Sequence, residues 1–239
     1  MGTNIYACIL AGGHGSRMGN VERPKQFLDI GNKPIIIHTI EKFLLHPEFE
    51  KVVVLTPGAW LSHMEDIAEK HLTASDRLVV IEGGDDRNDT LMNAISHIEE
   101  NYGIDDDTII LTHDSVRPFV SHRIIMENIE CAKEFGACDT VVPASDTIVE
   151  SGDGKIIEAI PERIRLYQGQ TPQTFKGKKL KTLYEALSDE EKESLTDACK
   201  IFTLNGETVH LVDGDVSNIK ITYPTDIRIA NALIGGEAC

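Results

Sequence analysis

The chain alternates between two hydrophobic periods. Short apolar, β-branched runs at Ile5 to Leu10, Lys51 to Thr56, Leu78 to Glu82, Thr108 to Thr112 and Thr140 to Pro143 predict strands. Between them, apolar stripes of helical spacing predict helices over Pro34 to Leu45, Leu61 to His71, Asp89 to Asn101 and His122 to Phe135, the first opening on a proline. Near-continuous apolar strands alternating with helices imply an α/β fold, a Rossmann-like and mostly parallel sheet flanked by helices.

The pattern changes after residue 145. Asp146 to Glu150 and Lys155 to Ile160 flank Ser151-Gly-Asp-Gly154 and read as a β-hairpin. A two-stranded ribbon is marginal alone, so residues 145–173 are expected to form an extended arm that packs against a partner subunit. Helices near Lys178 to Leu187 and Asp189 to Lys200, strands at Thr208 to Val212 and Asn218 to Thr222, and a last helix from Pro224 to Leu233 complete the expected elements. No repeat or Gly/Ser-rich linker divides the chain, so residues 1–239 are expected to be one domain with the arm inserted.

Charge and cysteine usage narrow the function. Lys and Arg number 23 against 39 Asp and Glu, and the resulting charge of −16 opposes nonspecific binding to nucleic acid or an anionic membrane. No apolar run approaches the roughly 18 to 20 residues a membrane helix needs. The start of the chain has no basic segment leading into an apolar one, so a cytoplasmic location is expected. The five cysteines are odd in number and scattered, which favours free thiols over disulfides or a zinc site, and Cys8 in its apolar strand reads as a small core residue.

Candidate chemistry gathers where strands end. Leu10-Ala-Gly-Gly-His-Gly-Ser-Arg-Met-Gly19 follows the first strand, and its glycines let backbone N–H groups turn toward an anion. Neither the dinucleotide fingerprint, which needs a small residue where Met18 stands, nor the P-loop ending fits. Arg17 and Lys25 add positive charge around this loop, countercharge that a departing polyphosphate requires. Gly83-Gly-Asp-Asp-Arg-Asn-Asp-Thr90 follows the third strand and His113-Asp-Ser-Val-Arg-Pro118 the fourth, so three strand ends describe one crevice. Asp89 and Thr90 serve there either as helix caps or as ligand contacts, and Asp114 either as a turn anchor or as a site residue. Two readings outside nucleotide transfer remain open on these residues: a dinucleotide-dependent reductase, which Met18 and Arg17 oppose, and a nonenzymatic dimeric binding protein.

Six motifs in order carry a resemblance: Leu10-Ala-Gly-Gly-x-Gly-Ser-Arg-Met, Pro24-Lys-Gln-Phe, Gly83-Gly-x-x-Arg, His113-Asp-x-x-Arg-Pro, Gln170-Thr-Pro-Gln and Asn218-Ile-Lys-Ile-Thr. The chain resembles, over essentially its whole length, the sugar-alcohol phosphate cytidylyltransferases, which include the 2-C-methyl-D-erythritol 4-phosphate and ribitol-5-phosphate enzymes. Met18-Gly-Asn-Val, Gln168-Gly-Gln-Thr-Pro-Gln, Asp197-Ala-Cys-Lys-Ile and Asn218-Ile-Lys-Ile-Thr, with Ser115-Val116 and Tyr167, make it resemble more the ribitol-5-phosphate branch, which serves teichoic acid synthesis.

The resemblance implies a nucleotidyltransferase fold and transfer of the cytidylyl group of CTP to a polyol phosphate, with pyrophosphate released. It implies a homodimer and Mg²⁺ carried mainly on phosphates, with no protein ligand assigned and Asp114 the one carboxylate to consider. Leu10, Ala11, Gly12 and Gly13 match the backbone segment that holds the nucleoside, and Gly84, Asp85, Asp86, Arg87, Asn88, Asp89 and Thr90 match a second nucleotide loop. Arg17 and Lys25 match the pair that stabilises charge at the triphosphate. Asp114 and Ser115 lie in the turn that closes over CTP, and Arg117 in the same turn matches a contact to the dimer arm. Lys220 matches the lysine at the α-phosphate. Thr147, Arg163 and Thr171 match residues that bind the acceptor phosphate across the subunit boundary, and Arg163 is also counted with the catalytic residues. Arg165 competes with Arg163, because two residues apart on a strand they would share a face.

Overall fold

The computed structural model describes residues 3–12 and 23–235. Strand β1 (Ile5–Leu10) is followed by a short ribbon, β2 (Asp29–Ile30) with β3 (Lys33–Pro34), and then by α1 (Ile35–Leu44), β4 (Phe49–Thr56), α2 (Leu61–His71) and β5 (Leu78–Glu82). Helix α3 (Arg87–Tyr102), β6 (Ile109–Asp114), α4 (His122–Phe135), β7 (Ala137–Pro143) and β8 (Tyr167–Lys176) come next. Helices α5 (Gly177–Ala186), α6 (Asp189–Glu193) and α7 (Cys199–Leu204), strand β9 (His210–Asp213) and helix α8 (Pro224–Gly235) complete the order.

Seven strands form one sheet in the order β5-β4-β1-β6-β8-β7-β9. The first four are parallel, β8 runs antiparallel to both its neighbours, and β9 is parallel to β7. The α/β expectation holds. Strand β1 shows why the sheet forms: Ile5, Ala7 and Ile9 pack with α1, α2 and α4, whereas Tyr6, Cys8 and Leu10 pack with α3, α5 and α7. Both faces are covered, so a fully apolar strand has nowhere to be wet. Burial raises the Cys8 thiol to about 12, as suits a packing residue.

The chain leaves β1 toward β4 and β5 on one side and returns to β6 on the other. Leu10 and Asp114 are register partners at the carboxyl ends of β1 and β6, so the loops that follow them emerge side by side at this reversal, where open α/β sheets bind ligands.

Four expectations need correction. Asn218 to Thr222 is not a strand: Ile221 donates singly to the Val116 carbonyl, and the Asn218 side chain bonds Thr171 and Gln170, so the segment is a loop pinned across the sheet end. The region read as one helix from Asp189 to Lys200 is split into α6 and α7, with the Ser188–Glu191 capping box closing the first. The hairpin is no regular ribbon. Its limbs are joined by the single Glu150–Ala159 bridge, with one further backbone bond from the Glu158 N–H to the Glu150 carbonyl, and the chain between β7 and β8 exposes Ile156, Ile157, Ile160 and Ile164.

The last correction concerns the span 145–173, whose final part from Tyr167 is no arm but strand β8, paired first with β7 alone and then, from Gln173, with β6 as well. Polar Tyr-Gln-Gly-Gln-Thr-Pro-Gln concealed this strand, and Pro172, which has no N–H to give, coincides with the register shift in its pairing with β7.

Candidate active site

The site is built on the ends of β1, β6 and β8 and the start of α3. Asp86 caps α3, its carboxylate accepting from the N–H groups of Asn88 at 2.7 Å and Asp89 at 2.9 Å, so neither Asp89 nor Thr90 is the cap. Thr90 instead ties the loop down, donating to the Asp86 carbonyl at 2.6 Å and accepting from the Gly84 N–H at 3.1 Å. A side chain at Gly84 would lie 2.3 Å from the Asp89 Cβ, so only glycine lets the loop lie this close on the helix. Asp85, Asp86 and Asp89 remain exposed around the helix start, and Asp89 is raised by burial and by its two acidic neighbours.

Loop and helix together deliver Arg87 to Asp114. Arg87 Nη1 lies 2.5 Å from Asp114 Oδ1, Lys220 Nζ lies 2.8 Å from Oδ2, and Arg117 Nε lies 3.6 Å from Oδ2. Burial alone would raise the Asp114 carboxyl. The Arg87 guanidinium first, then Lys220 and Arg117, outweigh it and hold the group ionised, well below the usual carboxylate range. Three cations thus converge on one buried anion, leaving the cluster positive. Together with Gly169, Thr171, Gln173, Thr196 and Asp197, they line a cavity of about 200 Å³.

The Asp114 turn is fixed from behind. His113 Nε2 lies 3.0 Å from the Arg117 carbonyl, which can only accept, so Nε2 carries a proton. Burial lowers this ring to about 4, leaving it neutral, and the unprotonated Nδ1 accepts from Thr171 Oγ1 at 3.0 Å. Thr171 Oγ1 in turn accepts from the Asp114 N–H at 3.1 Å. The threonine's one proton is therefore spent inside the protein. Thr171, expected on the acceptor phosphate, lines the cavity and also holds the Asp114 turn.

The other sequence-predicted residues fall into three groups. Leu10, Ala11 and Gly12 lie at the end of β1, with Ala11 bonded to Leu55 and its carbonyl accepting from Gln26 Nε2 at 2.6 Å. That bond docks the turn Lys25–Phe27 on the same loop and leaves Lys25 buried beside it. Ser115 is buried behind the turn, its N–H on Leu10 and its carbonyl on Thr39. Gly13 and Arg17 lie outside the described residues. Arg117, expected at the dimer arm, also bonds within its own chain: besides facing Asp114 it donates from Nη1 to the Asn218 carbonyl at 2.8 Å, which holds the Lys220 loop in place.

Thr147 and Arg163 do not line this cavity. Both are exposed on the segment between β7 and β8, where Arg163 donates to the Ser145 carbonyl at 3.0 Å. Arg163 and Arg165 lie in a 3₁₀ turn, so the two guanidinium groups do not share a face as strand residues would. Among the described residues no group of three or more His, Cys, Asp or Glu side chains could hold a metal, and both Asp114 oxygens already face cations. Asp114 therefore does not fit as a primary metal ligand in this arrangement. Gln173, Thr196 and Asp197, which line the cavity, were missed as site residues, although Gln173 sits inside one of the six motifs and Asp197 opens the Asp197-Ala-Cys-Lys-Ile stretch.

The pattern of the family described as "IspD: 2-C-methyl-D-erythritol 4-phosphate cytidylyltransferase" matches residues 5–236. The chain belongs to this family. Its fold agrees with that of solved relatives. A 4-diphosphocytidyl-2C-methyl-D-erythritol synthase from Anaerococcus prevotii is 26% identical, with 98% of this chain and 96% of that one covered at a TM-score of 0.79. The 2-C-methyl-D-erythritol 4-phosphate cytidylyltransferase of Francisella tularensis is 27% identical, covering 95% and 98% at a TM-score of 0.78. The protein is an enzyme, a nucleotidyltransferase of the cytidylyl-transferring kind. The reductase and nonenzymatic readings are set aside. Among the described residues no helix is long and apolar enough to cross a membrane.

Proposed function

We propose that this cytidylyltransferase moves the cytidylyl group of CTP to D-ribitol 5-phosphate, giving CDP-ribitol and pyrophosphate for teichoic acid synthesis. The observation that carries the reaction type is the cluster of Arg87, Arg117 and Lys220 around Asp114, a preorganised positive wall at the sheet reversal. An acceptor phosphate oxygen attacks the α-phosphorus in line, and the bond to the bridging oxygen of pyrophosphate breaks as the new one forms. No protein nucleophile is required, so the residues position two polyanions and screen their charge.

In this reading the loop after β1 and the Gly84–Thr90 loop hold the nucleotide, Arg17 and Lys25 screen the triphosphate, and Lys220 steadies the α-phosphate. Mg²⁺ travels on the phosphates and water, an assignment consistent with an ion that takes few protein ligands. The exposed apolar segment between β7 and β8 supports a homodimer in which Thr147 and Arg163 reach the partner's acceptor site.

The flanking residues Ser115, Val116, Tyr167 and Gln168 favour ribitol 5-phosphate. The names of the solved relatives favour a second acceptor, 2-C-methyl-D-erythritol 4-phosphate of isoprenoid synthesis. Pyrophosphate release from CTP with ribitol 5-phosphate, methylerythritol 4-phosphate, ribulose 5-phosphate and glycerol 3-phosphate tests the proposal. Ribitol 5-phosphate is expected to give the highest kcat/KM, and preference for another acceptor would overturn it.

A further inference from the structure

The cavity is chemically two-sided. One wall is the cation cluster on Asp114. The other is rich in acceptors: Asp197 lines it, and Gln173 Oε1 is buried there with no hydrogen bond among the described residues. Behind this wall stands Asp139 on β7, the register partner of Gln173 on β8. Gln173 Nε2 donates to Asp139 Oδ1 at 3.0 Å, while Oδ2 has no hydrogen bond among the described residues. Apart from its chain neighbours, the only atom among the described residues within 4 Å of a Cβ placed on Gly169 would be that Oδ2, at 3.5 Å, so the missing side chain leaves the space beside the oxygen uncovered.

We propose that Asp139, presented by Gln173 and uncovered by Gly169, accepts a hydrogen bond from a hydroxyl of the acceptor's carbon chain and makes the site selective for an unbranched polyol phosphate. This deepens the ribitol 5-phosphate reading above and rests on it. An acceptor that a bound ligand covers and leaves without a donor is costly, so a site of this kind rejects an analogue that turns a methyl group toward it. Methylerythritol 4-phosphate is one carbon shorter in its main chain and carries such a methyl branch. Ribitol 5-phosphate offers hydroxyls along its whole length.

The state of Asp139 agrees with this geometry. Burial, opposed by the Gln173 bond and reinforced by the Asp197 carboxylate, pushes it up to about 6, as expected for a carboxyl lacking a full set of donors. Its packing role does not require the carboxyl, because the neighbours Thr140 and Cys138 make their own bonds to the Pro172 carbonyl and to Asn128.

The test compares Asp139→Val and Gly169→Ala with the wild type, measuring kcat/KM for ribitol 5-phosphate and methylerythritol 4-phosphate, and CTP affinity by calorimetry. Asp139→Val removes the acceptor, whereas Gly169→Ala keeps it and fills the space beside it. Both are expected to lower kcat/KM for ribitol 5-phosphate by about 10- to 100-fold and to shrink the preference over methylerythritol 4-phosphate, with CTP affinity within about threefold of wild type. Should Asp139→Val fail to fold, Gly169→Ala decides. An unchanged acceptor preference in the folded variant, or an equal loss for both acceptors, overturns the inference. A wild-type enzyme that itself prefers methylerythritol 4-phosphate overturns the ribitol reading instead, and that result is seen without any variant.

Discussion

Replacing Asp114 by asparagine removes the one anion that three cations share while keeping the side chain's shape. The carboxylate is 5% exposed and meets Arg87 at 2.5 Å, Lys220 at 2.8 Å and Arg117 at 3.6 Å. Taking one partner from a buried ion pair costs about 3–5 kcal/mol, because the remaining charge is left uncompensated. Arg87 and Lys220 are partly exposed, 29% and 39% by side chain, so water screens them and the lower figure of about 3 kcal/mol applies. For a domain of this size that is a fall in Tm of roughly 6–12 °C.

The same substitution leaves a more positive cavity, so CTP should stabilise the variant by more degrees than the wild type as its phosphates replace the lost anion. The wild-type carboxyl is depressed, so its contribution is present above its unfolded value and is lost as the pH falls below about 4. The variant should therefore show a flatter acid limb. Thermal unfolding with and without CTP, repeated across pH, reads all three effects. A Tm within 2 °C of wild type, or a CTP shift smaller than the wild type's, would refute the electrostatic account of the cluster.

Three further outcomes are expected. Lys25→Ala and Arg17→Ala should each lower kcat by about 10²- to 10³-fold, and near wild-type turnover in the folded variant would remove that residue from the transition-state role. Asp139 has a raised carboxyl, so the folded protein binds its proton more tightly than the unfolded chain and stability should fall as the pH rises from about 4 through 6. A shift from 3.8 to about 6 corresponds to about 3 kcal/mol, and Asp139→Asn should abolish this slope in urea titrations, whereas an unchanged slope would contradict the burial argument. Mixed Arg163→Ala and Lys25→Ala subunits should recover part of the activity, since one composite site in the heterodimer escapes both defects; no recovery after confirmed subunit exchange would exclude a shared site.

The sheet was legible because its signal is local. Strand β1 and helices α2 and α4 begin and end where the apolar periods do, and Leu78 to Glu82 is a strand to the residue. Strand β8 was not legible, because a strand that lines a polar cavity carries Gln170, Thr171 and Gln173 where the pattern looks for apolar residues. The Lys220 loop misled in the opposite way. Ile219 and Ile221 alternate with polar neighbours like a strand, but Ile221 is buried in a small separate core with Ile35, Val116 and Ala230, so the alternation serves packing without pairing.

The site divides similarly. The motifs announced Arg87, Asp114 and Lys220, since each stands beside a glycine or proline that marks a loop or within an apolar run. That Arg87 and Lys220 both meet the Asp114 carboxylate follows only from where α3 and the 218–222 loop lie at the end of β6. The inward commitment of Thr171 depends on the tautomer of His113, which no spacing reveals. Asp139 escaped notice because the predicted strand began at Thr140, whereas β7 starts at Ala137 and sets Asp139 opposite Gln173.

Competition between acceptors tests the proposed reaction most directly. With CTP limiting and ribitol 5-phosphate and methylerythritol 4-phosphate present in equal amounts, the ratio of the two CDP products by mass spectrometry equals the ratio of their kcat/KM values. The account predicts CDP-ribitol in at least about tenfold excess, the discrimination that one unsatisfied buried acceptor supplies. Predominant formation of the methylerythritol product would contradict it, leaving the enzyme a cytidylyltransferase of the other acceptor.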